Sequence, residues 1–215
     1  MLFDFATLPP GEGYKLMVST IVPRPIAWVV TLDAEGRPNA APFSFFNAFS
    51  GNPPIIGFGC GPRPEGSPKD TLANIRRLGE FTVCLVPDAL AHQMNITAAD
   101  FETGINELEE AGLATRPGAM VKTPRIAESP VAMECVLHQI VPLGPHNLIL
   151  GRILAMEVRD DCVLDPEKHY IDTPKLELIG RMHGRGWYAR TTDRMEIPRI
   201  TPEQWEEQKR KRAAE

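Results

Sequence analysis

Pro25-Ile26-Ala27-Trp28-Val29-Val30-Thr31-Leu32, followed at once by Asp33-Ala34-Glu35-Gly36, is the stretch whose reading decides the fold. Its β-branched and aromatic residues predict a strand, and the Asp- and Gly-bearing run after it predicts a tight turn. Asn39–Phe46 can return as the partner strand. Pro54–Cys60 (PIIGFGC) reads as a buried strand in which Gly57 and Gly59 mark close approach by backbone or ligand. Phe81–Val86 (FTVCLV) is a continuous apolar strand. Val131–Val141 and Leu148–Val158 are longer, and predict a hairpin around residues 142–147. In the first of these, Val131, Met133, Cys135 and Leu137 alternate with Ala132, Glu134, Val136 and His138, the period of a half-buried strand.

Helical spacing is confined to short segments. Lys69–Leu78 has apolar residues at 72, 75 and 78, with Asp70 or Thr71 as N-cap and Gly79 as the stop. Asp88–Met94 and Thr103–Ala111 predict short helices, the second capped by Thr103 and ended by Gly112. Thr201-Pro202-Glu203-Gln204 is a capping box with Pro at the first helical position, so a last helix runs to about Ala213. Strands outnumber helices and are joined mainly by turns. That predicts a mainly antiparallel barrel or sandwich with a few added helices. The 21 prolines among 215 residues agree, because interior proline breaks long helices.

Several function classes are disfavoured. A net charge of −5 suits nucleic-acid binding poorly, since that rests on phosphate neutralisation. The one basic run, Lys209–Arg212, follows Glu206 and Glu207 at helical ion-pair spacing and reads as a solvated face. The four cysteines show no CxxC spacing and the five histidines no metal-ligand spacing. No leader pattern opens the chain and no apolar run suits a membrane span, so the expected location is the reducing cytoplasm. Nucleotide-loop, zinc-protease and serine-hydrolase motifs are missing as well.

Three features point the other way. Lys69-Asp70-Thr71 heads a helix, where free N–H groups, an ammonium and a hydroxyl make a seat for phosphate. Ser44-Phe45-Phe46-Asn47-Ala48-Phe49-Ser50 interleaves rings with small polar residues, and can lay donors along the edge of a flat polar ring. Gly144-Pro145-His146 puts an imidazole at a turn, where it can bind a substrate or donate a proton. Taken singly, each also reads as an ordinary helix start, strand face or solvated turn.

In order along the chain, these segments resemble the flavin reductase-like family of FMN-binding split-barrel proteins. The matching pieces are Pro23–Val29, Asn39–Asn47, Asn52-Pro53-Pro54, Lys69–Ile75, Glu80–Val83, Pro124–Pro130, and Gly180-Arg181 with Tyr188-Ala189-Arg190. The resemblance implies a homodimeric antiparallel split β-barrel, Greek-key-like, with a few peripheral α-helices and FMN near the subunit interface. On this reading residues 1–200 form this domain, and residues 201–215, which the family pattern does not fix, form the helical tail that the Thr201 capping box predicts. It also implies that Ser44, Phe46, Asn47, Ala48, Phe49 and Ser50 border the isoalloxazine, and that Lys69, Asp70 and Thr71 meet the phosphate. His146 stands where family members carry a Gly-Asp-His turn near the nicotinamide; here Pro145 replaces the acid. The implied activity is NAD(P)H-dependent hydride transfer to flavin, with onward electron delivery to a small-molecule acceptor. The alternative is an FMN-binding electron carrier with little NAD(P)H activity. A bound flavin carries the redox chemistry itself, so a sequence without a catalytic triad or metal site is consistent with either.

Overall fold

Two 13-residue strands, Val131–Leu143 and His146–Val158, cross the middle of the protein as one antiparallel hairpin. The computed structural model describes residues 1–102, 104–184 and 186–213. Helix α1 (Glu12–Thr20) leads into β1 (Ala27–Leu32), β2 (Pro38–Phe43), β3 (Phe46–Gly51) and β4 (Pro54–Cys60). Helix α2 (Asp70–Leu78), β5 (Glu80–Cys84), α3 (Ala91–Ile96) and α4 (Glu107–Glu110) follow. Next come the short pair β6 (Thr115–Arg116) and β7 (Arg125–Ile126), then the long hairpin as β8 and β9. The chain ends with the pairs β10 (Val163–Asp165) with β11 (Tyr170–Ile171) and β12 (Ile179–Arg181) with β13 (Tyr188–Arg190), and helix α5 (Pro202–Ala213).

The main sheet has the order β2-β1-β5-β8-β9-β4-β3, antiparallel throughout. Its two edge strands, β2 and β3, are neighbours in sequence, separated only by Ser44 and Phe45. The Gly59 amide of β4 donates to the Phe45 carbonyl at 2.8 Å and draws the edges together. The sheet is thus an antiparallel split barrel with few helices, as expected. The Asp33 turn forms as predicted: Arg37 N–H donates to Asp33 Oδ1 at 2.8 Å, and Gly36 takes φ 80°.

Strand β1 is apolar along its whole length because it is covered on both faces. Ala27 and Val29 join Phe58, Phe81, Ile149 and Ile75 of α2 on one face. Trp28 and Val30 join Met94, Leu108 and Ile126 on the other. The Trp28 indole donates to Thr97 Oγ1 at 2.9 Å, so its buried N–H is satisfied. The predicted alternation in β8 does not give a half-buried strand at its start: residues 131–135 are buried on both faces. Glu134 is accommodated there because its carboxylate accepts the amides of Ala119, Met120 and Val121. Register shifts after Glu134 and Leu137 then re-aim the strand.

Local boundaries also moved. The N-cap of α2 is Lys69, not Asp70 or Thr71, because those two side chains are engaged elsewhere, with Arg63 and Asn39. Gly79 does stop the helix, at φ 74°. Helix α4 starts at Asn106, whose side chain accepts from the Leu108 amide; the proposed cap at Thr103 lies outside the described residues. The segment from Asp88 forms a 3₁₀ turn before α3. The capping box at α5 is present in both directions, Thr201 N–H to Gln204 Oε1 at 2.8 Å and Gln204 N–H to Thr201 Oγ1 at 3.3 Å.

All four cysteines are free and buried. Burial pushes the Cys60 and Cys84 thiols up to about 11 and Cys135 to about 12. Among the described residues, no helix is long and apolar enough to cross a membrane.

Candidate functional site

The head of α2 forms one wall of a cleft of about 160 Å³, and the exit from β4 and the end of α3 form others. Three prolines, at 62, 64 and 68, shape the approach, closed by Arg63 N–H to Ser67 O at 2.8 Å. This loop holds the Arg63 guanidinium 2.7 Å from Asp70 Oδ2. Lys69 takes extended backbone at the helix cap, and its carbonyl accepts the Leu72 and Ala73 amides. Its ammonium meets Asp100 Oδ1 at 3.2 Å, on a partly exposed surface. The cleft therefore presents Arg63 on the preceding loop, paired with Asp70, and Lys69 at the helix cap, opposed among the described residues by the solvated Asp100 carboxylate. An exposed ion pair of that kind contributes little.

Below the cations lies a buried polar network. Thr71 is 1% exposed, and its hydroxyl donates to Asn39 Oδ1 at 3.3 Å. The Asn39 amide donates to Glu107 Oε1, whose other oxygen accepts the Ala40 amide at 3.1 Å. Asn74 donates to Thr31 Oγ1 at 3.1 Å on the same floor. Burial holds the Glu107 carboxyl above the usual range, and the Ala40 and Asn39 donors pull against that shift. Thr71 thus faces inward, while Lys69 and Asp70 face the cleft.

Three glycines on one face of β4 and its exit each carry a ring. A Cβ at Gly57 would stand 2.8 Å from the Phe49 ring, one at Gly59 3.2 Å from Phe45 Cβ, and one at Gly61 3.0 Å from the His146 imidazole. The close approach expected at Gly57 and Gly59 is therefore made by the chain's own aromatic side chains. Gly61 also lines the Lys69 cleft, so this one glycine borders both the cleft and the His146 imidazole. His146 gets there because the β8–β9 hairpin closes on the two residues Gly144 and Pro145, with Gly144 at φ 60°.

The other predicted residues are split. Ser44 lines a neighbouring cleft, which shares Pro42 and Ala98 with the first. Phe46 is half-buried at the start of edge strand β3, and Asn47, Ala48, Phe49 and Ser50 are exposed along it. Lys69, Asp70 and Thr71 line one cleft; His146 is not among its lining residues and neighbours it through Gly61, and Asn47–Ser50 lie apart along the edge strand β3. Sequence reasoning missed Asn39, Arg63, Asp100 and Glu107. Arg63 had a signal, a lone cation between two prolines before a helix. The other three meet through tertiary contacts, which spacing does not reveal.

The sequence pattern described as flavin reductase like domain matches residues 18–173, most of the chain. The chain belongs to that family. A curated relative from Deinococcus radiodurans, itself uncharacterized, is 46% identical over 210 residues, covering 96% of this chain and 92% of that one. Among solved structures, nitrilotriacetate monooxygenase component B from Bacillus cereus is 30% identical with TM-score 0.86, covering 92% of this chain and 98% of that one. Pseudomonas fluorescens 2-nitrobenzoate 2-nitroreductase is 32% identical with TM-score 0.86, covering 94% and 98%. The split barrel domain of a Shewanella frigidimarina protein matches at TM-score 0.79 and 21% identity, a likeness of fold.

Proposed function

We propose that this flavin reductase-like protein binds FMN and acts as an NAD(P)H-dependent oxidoreductase that passes electrons to a small-molecule acceptor. The observation that carries the reading is the meeting at Gly61 of a cationic helix head and an imidazole-bearing turn. The donor set fits a phosphate: Lys69 at the N-terminus of a nine-residue helix, with Arg63 on the loop before it. The β3 face fits a flat heteroaromatic ring, with Asn47 and Ser50 as polar groups and Phe45 and Phe49 as apolar ones.

When bound, FMN supplies the hydride acceptor, ring N5. In this reading Lys69 holds the phosphate, displacing its ion pair with Asp100. Arg63 keeps Asp70 turned aside, so that the carboxylate does not repel the anion. Ser44, Phe46, Asn47, Ala48, Phe49 and Ser50 orient the ring, and His146 positions the nicotinamide at the opening. The exposed β3 rings, Phe45 at 41% and Phe49 at 59%, lie on a surface that a second copy of the chain covers in the proposed homodimer. Residues 1–200 form the flavin-holding domain, and the tail proposed for residues 201–215 is helical over Pro202–Ala213, its last two residues lying outside the described ones. The test is anaerobic addition of NADH or NADPH to FMN-loaded protein. Bleaching of the visible flavin bands is expected, and persistent colour with both nucleotides overturns the reading.

A second reading, an electron carrier with little NAD(P)H activity, is favoured by Pro145, which stands beside His146 in place of an acid. Rapid pyridine-nucleotide turnover in the same cuvette eliminates it.

A further inference from the structure

The cleft next to the Lys69 site is built differently. It encloses about 250 Å³ and is lined by Arg24, Arg181, Tyr14, Tyr188 and Ser44, with Ile26 and Met94 among its apolar residues. Arg24 is 7% exposed. Its guanidinium donates to the carbonyls of Val18, Ile21 and Met182, at 2.8, 2.8 and 2.7 Å. These are neutral acceptors, and Arg24 Nε is buried without a hydrogen-bond partner among the described residues. Arg181 stacks on the Tyr188 ring, with Cζ 4.7 Å from the centroid. Neither guanidinium forms an ion pair among the described residues. The titratable neighbours that act on Arg24 are the Tyr14 phenol and Arg181, the latter a second cation.

Two uncompensated guanidiniums at one cleft are costly unless an anion completes them. Burial first, and the Arg181 charge to a smaller extent, pull the Arg24 pKa down against an opposing pull from Tyr14. Arginine remains charged regardless. The stacked Arg181 fork is planar and suits a planar, bidentate anion. The walls add two phenol rings and apolar side chains, which suit a ring rather than a bare ion.

We propose that the cleft between Arg181, Tyr188, Tyr14 and Ser44 is a second anion site that binds the carboxylate of a small aromatic acid. The ring of the acid lies toward Pro42 and Ala98, the residues shared with the Lys69 cleft. Arg181 makes the bidentate contact. Arg24, already engaged with three carbonyls, supplies positive potential from behind. The site goes beyond the flavin reading, and its Arg181 contact does not rest on it; Ser44, which that reading gives to the flavin ring, is where the two sites meet.

The test is calorimetric titration of the full chain, without flavin and at fixed ionic strength, with benzoate, benzamide and inorganic phosphate as probes. Saturable one-to-one benzoate binding is expected, with benzamide at least tenfold weaker and phosphate unable to displace benzoate. Arg181→Gln is expected to weaken benzoate at least tenfold and Arg181→Lys less so. Lys69→Ala is expected to leave benzoate binding unchanged. The Arg181 backbone pairs with Arg24 through N–H and C=O at 2.8 and 2.9 Å, so these side-chain changes leave the strand contact in place. Three results each overturn the proposal: no saturable benzoate binding, benzamide binding as tightly, or affinity unchanged in Arg181→Gln. Displacement of benzoate by phosphate through Arg181 overturns it in favour of a phosphate site. None of these results bears on the flavin reading, which the bleaching experiment decides separately.

Discussion

Asn39 on β2 and Glu107 on α4, 68 residues apart, share a 2.5 Å hydrogen bond beneath the Lys69 cleft. The second Glu107 oxygen accepts the Ala40 amide, so one buried carboxylate ties α4 to the sheet edge. Glu107→Ala leaves the Asn39 amide without its acceptor and opens a small void. A loss of about 2–4 kcal/mol in urea unfolding is expected, since an unpaired buried polar group alone costs about 1–3.

The same carboxyl sets a pH dependence. Its folded pKa is raised above the ordinary 4.5, so the folded chain holds the proton more tightly than the unfolded one. Its contribution is therefore greatest below 4.5 and is lost as pH rises through the folded value. Glu107→Gln removes that slope. Urea midpoints measured upward from pH 4.5 check this, and parallel wild-type and variant curves contradict it.

Lys69→Ala is expected to weaken FMN about 10- to 100-fold, the scale of one charge-assisted hydrogen bond. Riboflavin, which lacks the phosphate, is expected to change little. Fluorescence-quenching titrations with both flavins decide it; equal losses refute a phosphate contact.

His146→Ala is expected to slow flavin reduction at least tenfold while FMN affinity is kept. Gly61→Ala approaches the same result by geometry, because the added methyl meets the imidazole at 3.0 Å and moves it. Stopped-flow reduction of FMN-loaded variants is the measurement. Wild-type rates in both remove His146 from the site.

Gly151→Ala tests the core. The new Cβ would stand 2.3 Å from the tip of the Phe81 ring, which is fully buried and packed edge-on against Phe58. Overpacking of this kind costs about 1–3 kcal/mol, so a fall of several degrees in thermal midpoint is expected.

Phe49→Asp addresses assembly. Phe49 is exposed on the edge strand that the proposed second copy covers. Sedimentation velocity is expected to show dimers for the wild-type chain and monomers for the variant.

The strands were legible where local chemistry alone decides them. Pro25–Leu32 with its Asp33 turn became β1, and the hairpin of β8 and β9 formed where two long apolar runs flank a Gly-Pro turn. Helix α1 was not foreseen: Gly11 provides no capping side chain, and Val18 is its one buried residue. The end-on burial of β8 was hidden because Glu134 looks like a solvent-facing residue until the Ala119–Val121 amides arrive. In the candidate site, Lys69 and His146 were readable from a helix start and a turn. That Gly61 joins them, and that Thr71 faces inward to Asn39, depends on long-range packing.

The buried thiols bear on how this protein endures its own chemistry. A reduced flavin in air generates peroxide, which attacks thiolates rather than thiols. Cys60, Cys84 and Cys135, held near 11, 11 and 12, keep their protons at neutral pH, and the fold shields their sulfurs. Under the proposed function, these three thiols stay protonated and shielded from the peroxide that a reduced flavin releases.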